Sequence, residues 1–251
     1  MELQKAFLWK RVAAGVLDFI LVAIFSVGFA FLLSALLGYD SFSQQVDDAY
    51  ARYEEEYGIT FDIPQEKYDN LSPEEKKNYD TAYQALVNDE EAMYAYNMTL
   101  QLSVVVTAFG LLFGVMLVEF VLPLILKNGQ TVGKKIFGIC LVRNDCVKVS
   151  TLQVFVRALL GKYTIEIMVP VFILLMIFWN TIGLVGPLVL AGILIAEVVC
   201  IFISKTVSFI HDILAGTVAV DMTSQRIFEN EQERIEYTKK LHAEQAAKQT
   251  Y

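Results

Sequence analysis

Trp9-Lys-Arg-Val-Ala-Ala-Gly-Val-Leu-Asp18-Phe-Ile-Leu-Val22, continued by a nearly unbroken apolar run to Leu37, decides how this chain is read. From Val12 to Leu37 lie 26 residues with a single charge, Asp18. A helix of that length measures about 39 Å at ~1.5 Å per residue, more than a hydrocarbon core of about 30 Å. Arg11 stands at its start, and Asp18 lies about 10 Å further along the axis on the same face. Ala14 and Gly15 keep that face small, so a neighbouring helix can approach closely. A carboxylate at such depth needs a partner, a water-filled cavity or a proton.

Working outward, the composition agrees with a membrane chain. Apolar residues make up 55% and charged residues only 19%, against a soluble norm of about 45–50% apolar. The net charge of −8 comes from one place: residues 38–98 hold fifteen Asp and Glu against four Lys and Arg. Cys140, Cys146 and Cys200 are an odd number and none lies in that acidic segment, so neither a disulfide framework nor a four-ligand metal site follows. Lys5, Lys10 and Arg11 before an apolar run resemble a signal sequence. The run is far longer than a 7–15-residue signal core, and no small-x-small site follows Leu37, so it reads as a retained anchor.

Four spans are expected at about 12–37, 99–126, 163–180 and 183–204, the first with its N-terminus making up 1–37. Asn180-Thr181-Ile182-Gly183 is a short turn that makes the last two a hairpin. Residues 1–11 carry three Lys and Arg, residues 127–162 seven and the tail from Lys205 six. By the positive-inside rule both termini and the basic loop 127–162 are cytoplasmic, and 38–98 is an extracytoplasmic acidic helical insertion. The fold expected is an all-α, four-transmembrane-helix bundle. Residues 99–222 form its membrane core after the insertion, and 223–251 a charged helical tail.

Within the insertion, Ser41 to Tyr57 reads as a helix stopped by Gly58, and Ser72-Pro73-Glu74-Glu75 as a capping box with proline at the first helical position. Nine of the twelve tyrosines lie in 39–96. They either pack one helix on another or form a surface that collects cations or docks a partner. In 127–161, Gly129-Gln130-Thr131-Val132-Gly133-Lys134-Lys135 falls one residue short of a phosphate-binding loop and lacks the Ser or Thr after lysine, so its glycines serve a sharp exit from the second span. Ile139–Val142 and Val147–Val149 are expected to pair as a hairpin around Asn144-Asp145. Leu152 to Leu160 reads as an interfacial helix, with Arg157 and Lys162 facing headgroups. In the tail, Glu236/Lys240 and Glu244/Lys248 are i,i+4 pairs.

Three stretches together resemble the RDD family of largely bacterial membrane proteins. They are Lys10-Arg11 through Asp18, Gly129 through Lys135, and His211-Asp212-Ile213-Leu214-Ala215-Gly216-Thr217. The family is named for an arginine and two aspartates, and the resemblance puts these at Arg11, Asp18 and Asp212, with His211, Gly129, Thr131, Gly133 and Lys134 in the accompanying motifs. It covers roughly 5–37 and 100–222. Two departures stand out: the segment 38–98 is longer and more acidic than the usual outer loop, and Asp145-Cys146 stands where Asp-Gly is common. The resemblance implies a multi-pass protein of the cell membrane, and cation/proton exchange has been proposed for some members.

The carboxylates add a reading of their own. Asp18, Glu119 and Glu197 each lie seven or eight residues from a basic residue at the inner end of their span, Arg11, Lys127 and Lys205. That sets all three about 10–12 Å from the cytoplasmic edge. Clustered acids favour a proton or a cation as occupant; alternatively, Arg11 neutralises Asp18, Lys205 reaches Glu197 and Glu119 bonds to a neighbouring helix. Arg11 is expected to tie to Asp212, and Asp18 to a basic or hydroxyl group from another span or loop. Two function classes stay open. One is a secondary transporter exchanging a monovalent cation or small solute against protons through Asp18, Glu119 and Glu197. The other is a non-catalytic scaffold recruiting a protein partner through 38–98 or 224–251. His211-Asp212 only superficially resembles a catalytic pair and no motif places a nucleophile, so an enzyme is not expected, nor a cofactor, metal or nucleic-acid partner.

Overall fold

No proline interrupts residues 8–37, and α1 runs unbroken over Leu8–Leu37 until Gly38, whose φ of +71° turns the chain. The computed structural model describes residues 3–178, 182–204, 206 and 208–249. Among the described residues, four helical runs are long and apolar enough to cross a membrane: Leu8–Leu37, Glu90–Leu126, Thr151–Phe178 and Val185–Ile203. Two compact units emerge, one of residues 28–110 and the other of residues 1–27 with 111–251.

The 28–110 unit is helical throughout its ordered elements. α2 (Tyr39–Tyr57) ends at Gly58 with φ +62°. A short α3 (Gln65–Asp69) precedes α4 (Pro73–Asn88), which opens on the expected box: Ser72 and Glu75 satisfy each other's backbone N–H groups. Asp89 then starts α5 (Glu90–Met116), its Oδ1 accepting from the N–H groups of Glu91 and Ala92 at 3.0 and 3.1 Å. Ala49, Leu86 and Ala92 form the core, with Tyr53 and Phe61 packed on it.

In the other unit, α5 passes through a π-helical turn (Leu117–Val121) into α6 (Leu122–Leu126). Lys127, Asn128 and Gly129 all take positive φ, making the sharp exit the glycines suggested. After α7 (Val132–Ile136) comes β1 (Ile139–Arg143). The local hairpin survives only as one bridge between Val142 and Lys148. Cys146, in the glycine-like position of that turn, holds φ +66°.

The ladder forms instead with β2 (Thr217–Asp221), antiparallel, Ile139 opposite Asp221 and Arg143 opposite Thr217. The all-α expectation is amended by this small sheet, whose two sides are both buried. Ile139, Leu141 and Ala219 pack on Ala6 and Ala14, and Cys140, Val142, Val218 and Val220 pack together on the other side. β1 was expected as a strand, but its partner Thr217–Asp221, buried on both faces, carries no alternation and was not read as one. Residues 4–6 continue the sheet, Ala6 N–H donating to Ala219 O at 3.1 Å and Asp221 N–H to Gln4 O at 2.9 Å.

Thr151–Phe178 is one helical run rather than an interfacial helix and a separate span. It comprises α8 (Thr151–Val156), a π-helical stretch (Arg157–Met168) and α9 (Val169–Phe178). α9 packs on α10 (Val185–Ile203) closely enough that a Cβ at Gly186 would lie 2.4 Å from Ile177 Cγ1. α11 (Ile210–Ala215) leads into β2, and α12 (Glu231–Gln249) forms the tail. The Asn180-Thr181 turn, Lys205 and the Lys248 side chain lie outside the described residues.

Candidate functional site: a buried charge network beside a cavity

Thr131 caps α7, its Oγ1 accepting from Lys134 N–H at 3.3 Å. The same hydroxyl donates to Asp18 Oδ2, while Gly133 N–H donates to Asp18 Oδ1 at 2.8 Å. The residue at 133 must be glycine, because a Cβ would stand 2.3 Å from the Ala14 carbonyl oxygen. Lys134 completes the set, its Nζ 3.5 Å from Asp18 Oδ2 and 3.7 Å from Glu119 Oε2. Burial pushes the Lys134 ammonium down to about 8, with Glu119 pulling the other way and Arg157 and Lys162 adding repulsion. Asp18 therefore has the hydroxyl and basic partners expected from another loop, and Arg11 is not among them.

Arg11 turns to Asp212 instead, Nη2 to Oδ2 at 2.9 Å, with its guanidinium 5.1 Å from the centre of the Phe209 ring. The tie follows from the two residues sharing one level. Arg157 holds the other oxygen of Asp212 through Nε at 2.9 Å, and Glu119 through Nη1 at 3.0 Å. Only 2% exposed, Arg157 does not face headgroups; it is the bridge between two carboxylates, which its planar fork allows. Lys162 contributes the second contact to Glu119.

Among the three nominated acids, Asp18 and Glu119 are brought together through Lys134, and Glu197 is not. Glu197 accepts from Ile210 N–H at 3.3 Å and lies in hydrogen-bond contact with Glu166. Glu166 in turn meets His211, Oε1 to Nδ1 at 2.6 Å, and accepts from the His211 N–H at 3.3 Å. Burial, then Arg157 and Lys162, hold the His211 imidazole well below its ordinary value, so it is neutral. Its contact with Glu166 is thus a hydrogen bond rather than an ion pair, and its Nε2 lies 3.5 Å from Asp212 Oδ1. Close approach is enforced here too, since a Cβ at Gly161 would lie 2.5 Å from His211 Cβ.

Sequence reading missed Glu166 and mislaid Arg157 and Lys162, and the cause is helical register. Nine residues at about 100° each put Glu166 on the face opposite Arg157 in an α-helix. The i→i+5 bonding of residues 157–168 widens each turn by roughly a residue and swings Arg157, Lys162 and Glu166 to one side. The one visible signal was a fourth intramembrane acid in the third span.

A cavity of about 340 Å³ is lined by Arg11, Lys134, Arg157, Lys162, Glu166 and His211, with apolar residues of α1 including Val16 and Phe19. Among the described residues, no group of three or more His, Cys, Asp or Glu side chains is arranged to hold a metal ion. Gly129 stands apart from the network, its place set by close packing on Leu141.

A sequence model of the RDD family matches residues 5–216. No curated protein and no solved structure matches the chain.

Proposed function

The chain belongs to the RDD family, and from that premise we propose that it is a proton-coupled secondary transporter whose proton site is the Glu166–Glu197 pair. The observation that carries this reading is the contact between these two carboxyls, with Glu166 bonded to neutral His211 and itself on the wall of the cavity. Two carboxyls in contact repel when both are ionised, so one proton held between them is the arrangement of lowest charge. The count of charges supports the same site. Among the described residues, five acids (Asp18, Glu119, Glu166, Glu197 and Asp212) share the network with four bases (Arg11, Lys134, Arg157 and Lys162), and one proton evens the balance.

On this reading Asp18, Glu119 and Asp212 are the neutralised frame, and the titrating group is elsewhere. The cavity wall presents four cationic side chains against the carboxylates of Glu166 and Asp212. The network is close to neutral overall, but four of the six charged groups lining the cavity are guanidinium or ammonium donors, so the solute we assign is a small anion or zwitterion. We further place both termini on the cytoplasmic side of the cell membrane and residues 38–98 outside, from the Lys and Arg counts. A reporter fused after residue 60 should be active only when outward-facing reporters are, and a signal confined to the cytoplasm overturns that placement.

The test of transport is proton movement in liposomes holding the purified protein and a trapped pH dye. Addition of a transported anion should shift internal pH, and Glu166→Gln or Glu197→Gln should abolish the shift while leaving the fold intact. Proton flux that neither anions nor cations alter would sink the transporter reading. A recruiting role for 38–98 or 224–251 would then stand.

A further inference from the structure

Six tyrosines of the 28–110 unit divide into two groups by what their hydroxyls do. Those of Tyr53, Tyr68 and Tyr79 donate to Asp89, Asp80 and the Phe61 carbonyl at 2.9–3.1 Å. These three pack the unit together. Among the described residues, Tyr50, Tyr83 and Tyr96 have no such tie, and all three converge on a cavity of about 180 Å³ between α2, α4 and the start of α5. Met93, Val46 and Val87 complete its wall. Tyr83 and Tyr96 are 48% and 41% exposed, so the cavity opens to its surroundings beside these two rings.

Residues 38–98 surround this cavity with fifteen acids against four bases, yet no carboxylate lines it. That combination is selective. An anion is repelled by the field, and a hard metal cation needs oxygen ligands that the wall lacks. A neutral apolar molecule gains nothing from the charge. A soft organic cation gains from both, because its charge is attracted by the acidic field and by the negative faces of phenol rings, while its methyl groups shed water cheaply. We propose that the Tyr50–Tyr83–Tyr96 cavity binds a small alkylammonium cation of the quaternary type. This site is independent of the charge network and of the transport reading.

The test uses full-length protein in an uncharged detergent at low ionic strength, with binding followed by calorimetry. The probes are choline and its neutral isostere 3,3-dimethylbutan-1-ol. Choline should bind and the alcohol should bind roughly tenfold or more weakly, since only the charge differs. Tyr83→Ala should weaken choline by roughly tenfold, whereas Tyr83→Phe, which keeps the aromatic face, should stay within about threefold. Where Tyr83→Ala does not give native helicity, Tyr96→Ala makes the same comparison. Equal affinity for the alcohol, absence of choline binding, or an alanine variant that binds choline like the parent would each overturn the proposal.

Discussion

Asp212 is held from two sides, by Arg11 at 2.9 Å and by Arg157 at 2.9 Å, with Thr217 Oγ1 3.3 Å from Oδ1. Buried pairs of this kind earn little net stability when complete, but breaking one side leaves an uncompensated charge and costs about 3–5 kcal/mol. Arg11→Gln should therefore lower the unfolding free energy in detergent by about that amount, and so should Asp212→Asn. The double variant should be clearly milder than the sum, because each change removes the charge the other strands. Strict additivity in a denaturation series would show that the 2.9 Å contact carries no coupling. Arg157 keeps Glu119 in either variant, which sets a floor to the damage.

At the scale of elements, the instructive case is the helix Thr151–Phe178. Its apolar half from residue 163 was legible, as were the stop at Gly58 and the box at Ser72, whereas residues 152–160 read as a separate interfacial helix. What it presents was not legible, because a 3.6-residue period assigns Arg157 and Glu166 to opposite faces. The wide turns end where Pro170, which has no N–H, enters α9. Removing one residue from the stretch should take out one of its wide turns and rotate everything beyond it by about 100°. Leu160 is 49% exposed and makes the cleanest deletion. The variant should keep its helical circular dichroism while Glu166 loses His211, seen as a drop of several degrees in thermal midpoint and loss of any proton coupling. Unchanged coupling would show that the register is incidental. The sheet was hidden for a different reason: β1 finds its partner about eighty residues away, and local pairing rules reach only as far as Val147–Val149.

Over the whole molecule, the beginning and end of the chain meet at β2. Lys10 Nζ lies 3.0 Å from Asp221 Oδ2, and Gln4 N–H donates to Gln225 Oε1 at 2.8 Å. The Thr223 hydroxyl foremost, then Lys10, hold the Asp221 carboxyl down at about 2 from an ordinary 3.8. A depressed carboxylate contributes stability that is complete above its unfolded value and fades as pH falls through the folded one. Asp221→Asn should thus cost about 1 kcal/mol at neutral pH, after allowing for solvent screening of this partly exposed group. The gap between variant and parent should close as pH drops from about 4 to about 2, in parallel denaturation curves. A gap that persists at pH 2 would mean that the side chain acts through shape rather than charge.

The long reach of the Arg11–Asp212 and Asp18–Thr131 contacts, 201 and 113 residues apart in sequence, carries a consequence for biosynthesis. At 5–20 residues per second, the ribosome takes about 10–40 seconds to make the partner that Arg11 awaits. Asp18 is unmatched until Thr131 and Lys134 have been made, and Arg11 remains without Asp212 throughout that interval. Waiting helices of this kind need shelter from the insertion machinery, and quality control can read their bare charges as a mark of incompleteness. A chain stopped at residue 204 should accordingly be degraded markedly faster in a pulse-chase than one stopped at residue 230, although both contain all four apolar helices.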